Sequence, residues 1–154
     1  MGTILQTGDG MNFTYVKKHS RRIGARGERA AAALLIDEGC EILLKNCRPK
    51  YGGELDIVAK DGQYLVFTEV KTRSRTPRST EAKLAPRKSL RPEQKKRIIR
   101  GAHAFLKELD HPPVRYRFDL IEVVLNAYGV ESICHTMSAF GESIFSRRSF
   151  RYAG

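Results

Sequence analysis

Two runs of strand-forming residues, 54–60 and 63–71, flank an Asp61-Gly62 pair, and that arrangement commits the middle of the chain to a β-hairpin. Leu55, Ile57, Val58, Leu65, Val66, Phe67 and Val70 mark both runs as largely buried. With Asp61-Gly62 as a two-residue loop, Lys60 pairs with Gln63, Glu54 faces Glu69, and Asp56 faces Phe67. Asp56 is then a diagonal neighbour of Glu69, and Asp56, Glu69 and Lys71 share one face.

Charged groups in or beside such a core cost several kcal/mol unless they are paired or bind a metal. Like carboxylates that meet across strands repel one another without a cation between them. Oxygen ligands of this kind suit magnesium or manganese rather than zinc. Asp56, Glu69 and the Val70 carbonyl could hold such an ion. Lys71 could orient or deprotonate an attacking water, or neutralise charge on a phosphorane. In the alternative the strands end in solvent and their charges merely pair on an exposed edge. Spacing alone leaves both readings open.

At 154 residues the chain suits one domain. Helix formers ending at Gly39 predict a helix over 24–38, followed by a short strand at 41–46 and a Tyr51-Gly52-Gly53 turn. Periodicity disappears over 72–91, which reads as a mobile basic loop. A second helix starts at Pro92, with Ile98, Ala102, Phe105, Leu106 and Leu109 in one apolar stripe. Strands follow at 117–125 and 130–137. This order predicts an α/β fold, one mixed β-sheet flanked by helices. Residues 1–22 read as a basic leader, 23–140 as the domain and 141–154 as a basic tail.

The formal net charge is +11, and residues 71–100 account for nearly all of it, with twelve basic residues against two acidic ones. Such clustering gives phosphate affinity without base readout and points to nucleic acid as the partner. Arg73, Arg75, Arg78, Lys88, Lys95, Lys96, Arg97 and Arg100 are the candidate contacts. The basic stretches lack the apolar face that membrane insertion requires, and no run of apolar residues is long enough to span a bilayer. Three cysteines without a CxxC pair exclude a cysteine-only zinc site and argue against a disulfide scaffold. With no apolar segment in the opening residues, the chain reads as soluble and cytoplasmic. His135 reads as structural, Asp119 as one half of a buried pair, and His103 has no evident partner.

These residues also carry a resemblance. Gly24-Ala25-Arg26-Gly27-Glu28, Asn46-Cys47-Arg48, Gly53 to Ala59, Val66 to Arg73, Arg117-Phe118-Asp119-Leu120 and Ile133-Cys134-His135 occur in the order seen in the YraN-like proteins, a bacterial family of predicted endonucleases. The likeness covers about residues 22–140. It implies a restriction-endonuclease-like fold similar to that of Holliday-junction resolvases. By family pattern, Asp56, Glu69 and Lys71 look like the PD-(D/E)xK signature, and Glu28 like the helix-borne acid that supplements the metal site. A Mg2+- or Mn2+-dependent endonuclease acting on DNA, branched or flapped forms included, and a homodimer are what the resemblance implies. Leu55 stands where the signature has its proline, and Gln94 where the family usually shows a lysine, with Lys95 and Lys96 beside it.

Overall fold

The computed structural model describes residues 14–15, 22–86 and 90–142. Of the leader and tail, it therefore covers only Thr14, Tyr15, Arg22, Gly141 and Glu142, and Arg87, Lys88 and Ser89 also lie outside the described residues.

Helix α1 (Arg22–Asp37) is built around an alanine-rich middle. It stops where Gly39 takes φ +92, a conformation that suits glycine. Gly39 N–H then donates to Ile36 O and Cys40 N–H to Leu35 O, so two terminal carbonyls gain partners in a Schellman motif. The chain continues through β2 (Glu41–Arg48), β3 (Leu55–Asp61) and β4 (Tyr64–Ser74). A short β1 (Thr14–Tyr15) pairs with β2, so a piece of the expected leader belongs to the sheet.

The hairpin forms, but its loop is displaced by one residue from the expected position. Asp61 pairs with Tyr64, leaving Gly62-Gln63 as the loop, with Gly62 at φ +56. A glycine at the first central position with an ordinary residue after it is the type II′ pattern, whereas Asp61-Gly62 would have needed positive φ at both. Asp61 is held in the strand by Arg117, whose Nη1 lies 2.8 Å from Oδ2. The correction moves every pairing. Phe67 faces Val58 rather than Asp56, and the register that ends at Ile57↔Thr68 carries Asp56 level with Glu69.

Residues 72–86 carry more regular structure than their composition suggests. β4 runs on to Ser74, pairing in parallel with β5 (Arg115–Asn126) from Tyr64↔Arg115 to Ser74↔Leu125. Beyond it, Thr80 caps a single helical turn, α2 (Glu81–Leu84), and Leu84 and Leu90 are buried anchors. Parallel neighbours need a long crossover, and α3 (Pro92–Glu108) provides it. Antiparallel β6 (Gly129–Phe140) completes a six-stranded mixed sheet in the order β1-β2-β3-β4-β5-β6.

Each face of the sheet has its own core. α1 packs Ala31, Ala32 and Leu35 over Ile57, Ala59, Val66, Val70, Ile121, Val123 and Leu125. α3 packs Ile98, Ile99, Ala102 and Phe105 over Val58, Phe67, Phe118 and Leu120. The fold is thus the α/β arrangement expected, a mixed sheet between helices. Among the described residues no helix is long and apolar enough to cross a membrane.

One close contact sets the height of α3 above the sheet. A Cβ on Gly101 would stand 2.5 Å from the Gly53 carbonyl oxygen, and a Cβ on Gly53 would stand 2.6 Å from the Arg97 carbonyl oxygen. Glycine inside a helix is normally worse than alanine by about 0.5–1 kcal/mol. Here the sign reverses, because backbone would have to move. Gly101→Ala is expected to destabilise the protein by about 1–3 kcal/mol, read as a lower urea midpoint.

Candidate active site

Strand alternation decides which side chains meet. Val66 and Val70 face α1 and Phe67 faces α3, so Glu69 and Lys71 follow Phe67 onto the α3 face. Asp56 lies on that face too, out of step with Ile57 and in step with Val58. Both acids are deeply buried, Asp56 at 4% exposure and Glu69 at 3%.

The backbone opens to receive Asp56. The β3–β4 ladder ends at Ile57↔Thr68, and the Val70 N–H donates to Asp56 Oδ2 at 2.9 Å. The carboxylate thereby occupies a donor that would otherwise need a backbone partner. Glu69 is held by two cations. Lys71 Nζ stands 2.9 Å and Arg97 Nη2 3.2 Å from the same atom, Oε1. Burial pushes the Glu69 carboxyl above the ordinary carboxylate range, and the negative charge of Asp56 pushes in the same direction. Lys71 and Arg97 oppose the shift without cancelling it.

A buried acid whose neighbour raises its proton affinity is short of positive charge. Two buried carboxylates on one level of the sheet offer all-oxygen donors of the kind magnesium and manganese take. The residues present therefore fit such an ion. Among the described residues no group of three or more His, Cys, Asp or Glu side chains could hold a metal together. Glu28, buried in α1, therefore does not make a three-carboxylate group with Asp56 and Glu69. Its neighbour Gly27 abuts Thr72, where an added Cβ would come within 1.8 Å of Oγ1.

If the acids are crowded for a cation rather than for stability, removing one charge should stabilise the fold. Asp56→Asn keeps an oxygen for the Val70 N–H and removes the repulsion on Glu69. We expect it to raise stability in metal-free buffer by about 0.5–2 kcal/mol, measured by thermal melting in EDTA.

The basic candidates divide by what they touch. Arg73 is committed to the fold, with Nη2 3.1 Å from Glu122 and Nη1 donating to Ala85 O at 3.0 Å. Arg75 straps β4 to α2 and β6 through Glu81 at 2.9 Å and Glu131 at 2.6 Å. Arg97 belongs to the acid pair. Arg78 and Arg100 are exposed, and Lys95 and Lys96 half-exposed, as phosphate contacts would be. Lys88 lies outside the described residues. Gln94 accepts a hydrogen bond from Arg91 N–H at 3.2 Å, so it helps begin α3. It also lines a cavity of about 350 Å³ with Lys71, Arg73, Leu90, Arg91 and Glu122. A larger cavity, about 650 Å³, lies between Tyr51, His103 and Tyr116, and none of Asp56, Glu69 and Lys71 lines it.

A second polar cluster has a structural part. Asp119, wholly buried, accepts from Arg117 Nε, from the Ser138 N–H at 2.9 Å and from His135, whose Nε2 lies 2.9 Å from Oδ2. The other ring nitrogen of His135 lies 2.7 Å from Glu38 on α1. The sequence reading of His135 and Asp119 thus holds, while His103 does have a partner, Glu142 at 2.7 Å. Sequence reasoning passed over Glu122. Its signal was a lone carboxylate inside the apolar run Leu120-Ile121-Glu122-Val123-Val124.

With this geometry in place, comparison with known proteins is informative. The sequence model of the Uncharacterised protein family UPF0102 matches residues 27–123. The chain belongs to that family. A UPF0102 protein of Chlorobaculum parvum is 41% identical over 111 residues, covering 72% of this chain and 81% of its own length. One from Parafrankia is 41% identical over 122 residues, covering 79% and 98%. A third, from Symbiobacterium thermophilum, is 39% identical over 104 residues, covering 68% and 83%. The family match runs from the Gly27 contact with Thr72 through the hairpin and α3 to β5. It therefore contains Asp56, Glu69, Lys71 and Arg97.

Proposed function

We propose that this chain is a magnesium- or manganese-dependent endonuclease that hydrolyses phosphodiester bonds in DNA, branched or flapped forms included. The observation that carries the reading is the burial of Asp56 and Glu69 side by side, with the Glu69 carboxyl raised by burial and by Asp56. Asp56, Glu69 and the Val70 carbonyl would hold the ion. A bound divalent ion supplies polarisation of the phosphodiester and a more acidic water. The Val70 N–H fixes one carboxylate oxygen of Asp56, Oδ2. Arg97 steadies Glu69 from α3, leaving Lys71 at the edge of the site, one-third exposed, to meet a phosphate oxygen or the attacking water. Arg78, Lys95, Lys96 and Arg100 would carry the backbone of the nucleic acid.

A second reading, a nucleic-acid-binding protein with this fold and no catalysis, draws on the fact that Lys71 and Arg97 already bring two positive charges to Glu69. One experiment separates the two. Purified protein is incubated with single-stranded, duplex, flapped and four-way DNA in Mg2+ or Mn2+. The nuclease reading expects cleavage that fails in Asp56→Ala. The binding reading expects salt-sensitive complexes without cleavage, unchanged by EDTA or by Asp56→Ala. Absence of both cleavage and complex would overturn the two together.

A further inference from the structure

The cavity beside Lys71 has two kinds of wall. Leu90 and Leu120, both buried, give it apolar surface. Lys71, Arg73 and Arg91 bring positive charge, and Thr72, Gln94 and Glu122 bring hydrogen-bonding groups. Lys71 and Arg73 are engaged with Glu69 and Glu122, so Arg91, exposed at the head of α3, is the cation best placed to take a phosphate. A mainly polar slot, with two leucines in its wall, amide, hydroxyl and carboxylate groups beside them and a guanidinium at its edge, matches one chemistry well, a nucleobase carrying its phosphate. At about 350 Å³ the space is at the small end of ligand pockets and cannot admit a base that is still stacked and paired in a duplex.

We infer that this cavity takes one unpaired nucleotide next to the phosphate presented to Lys71, so that the chain selects single-stranded or flapped DNA over continuous duplex. This rests on the nuclease reading for the identity of the neighbouring site. The selection itself is a binding property and does not require catalysis. A duplex must extrude a base to fill the cavity and lose stacking and pairing energy in doing so, whereas a flap has an unpaired base to offer. The exposed and half-exposed cations outside the cavity, Arg78, Lys95, Lys96 and Arg100, hold either substrate by its backbone, and the cavity with Arg91 at its edge distinguishes them.

The test is fluorescence anisotropy in EDTA at moderate salt, with a short labelled single strand, a matched blunt duplex and the same duplex carrying a flap. The full-length protein is expected to bind the single strand and the flap about tenfold or more tighter than the duplex, the least that the cost of flipping a base implies. Gln94→Trp, which fills the cavity from its half-exposed wall, and Arg91→Glu, on the surface, should each bring the three affinities together. Circular dichroism and melting establish that both variants are folded. Asp56→Ala should keep the preference. Equal affinity of the wild type for duplex and flap, or a preference that survives Gln94→Trp and Arg91→Glu, overturns the inference. Preference without cleavage in any metal overturns the nuclease reading and leaves the cavity assignment standing. Cleavage without preference does the reverse.

Discussion

Lys71→Ala is expected to lower the rate of DNA cleavage by about 10²–10⁴-fold, the range for losing a positioned proton-transfer or charge-stabilising group. Affinity for the same DNA should change much less. Lys71 stands at the edge of the site, 2.9 Å from Glu69, while the exposed cations available to the backbone lie elsewhere, on Arg78, Lys95, Lys96 and Arg100. Single-turnover cleavage with excess enzyme isolates the rate, and anisotropy on the same duplex isolates binding. A parallel fall in both would place Lys71 among the backbone contacts instead. Lys71→Arg is the useful companion. It keeps the charge, but a planar guanidinium does not reproduce a compact ammonium against Glu69, so recovery should be partial.

The second large effect is on stability. Asp119→Ala is expected to destabilise the protein by about 3–5 kcal/mol, because it removes the wholly buried carboxylate on which Arg117, His135 and the Ser138 N–H converge. Arg117 would keep Asp61 and lose Asp119, and His135 would keep Glu38. At roughly 2–4 °C per kcal/mol for a chain of this size, the melting temperature should drop well outside error. The pH dependence offers an independent check. Burial works against the Asp119 charge, but hydrogen bonds from His135, Arg117 and Ser138 hold its carboxyl below the usual range. The hydrogen bond to Asp119, against burial and with help from Glu38, raises His135. A raised histidine contributes stability that is complete below its unfolded value, about 6.5, and is lost as pH climbs through the folded value. A lowered aspartate contributes stability that is complete above about 3.9 and is lost as pH falls through the folded value. The two together predict a plateau between those limits in urea melts, with a decline on either side. His135→Gln should flatten the alkaline decline and make the acid one shallower, because Asp119 loses its imidazole partner while Arg117 and Ser138 still hold it.

Much of this molecule was legible in its sequence, and the parts that were not share a cause. The helices and strands came from periodicity. α3 begins at Pro92 as expected, and the stripe Ile98, Ala102, Phe105, Leu106 is the face it buries. The acid pair was legible because two carboxylates and a lysine sit within strands that are otherwise apolar. The loop slipped by one residue because Asp61 suits a turn locally, while its tie to Arg117 of β5 is invisible from the hairpin alone. The slip matters, since it turns Asp56 from a diagonal neighbour of Glu69 into one on its own level. The basic segment misled for the same reason. Read as a row of charges, Arg73, Arg75 and Arg97 look equivalent, yet Glu122, Glu131 and Glu69 claim them one by one from other strands. Long-range pairing decides which cations remain for a ligand, and composition does not record it.

The chemistry proposed for this protein requires Asp56 and Glu69 to form a cation site. Isothermal titration of Mn2+ into metal-free protein, wild type beside Asp56→Asn, tests that claim without requiring any substrate. Saturable binding by the wild type that disappears in Asp56→Asn, although that variant melts higher in EDTA, is the predicted result. Binding of equal strength in both proteins, or none by the wild type at millimolar Mn2+, would contradict it.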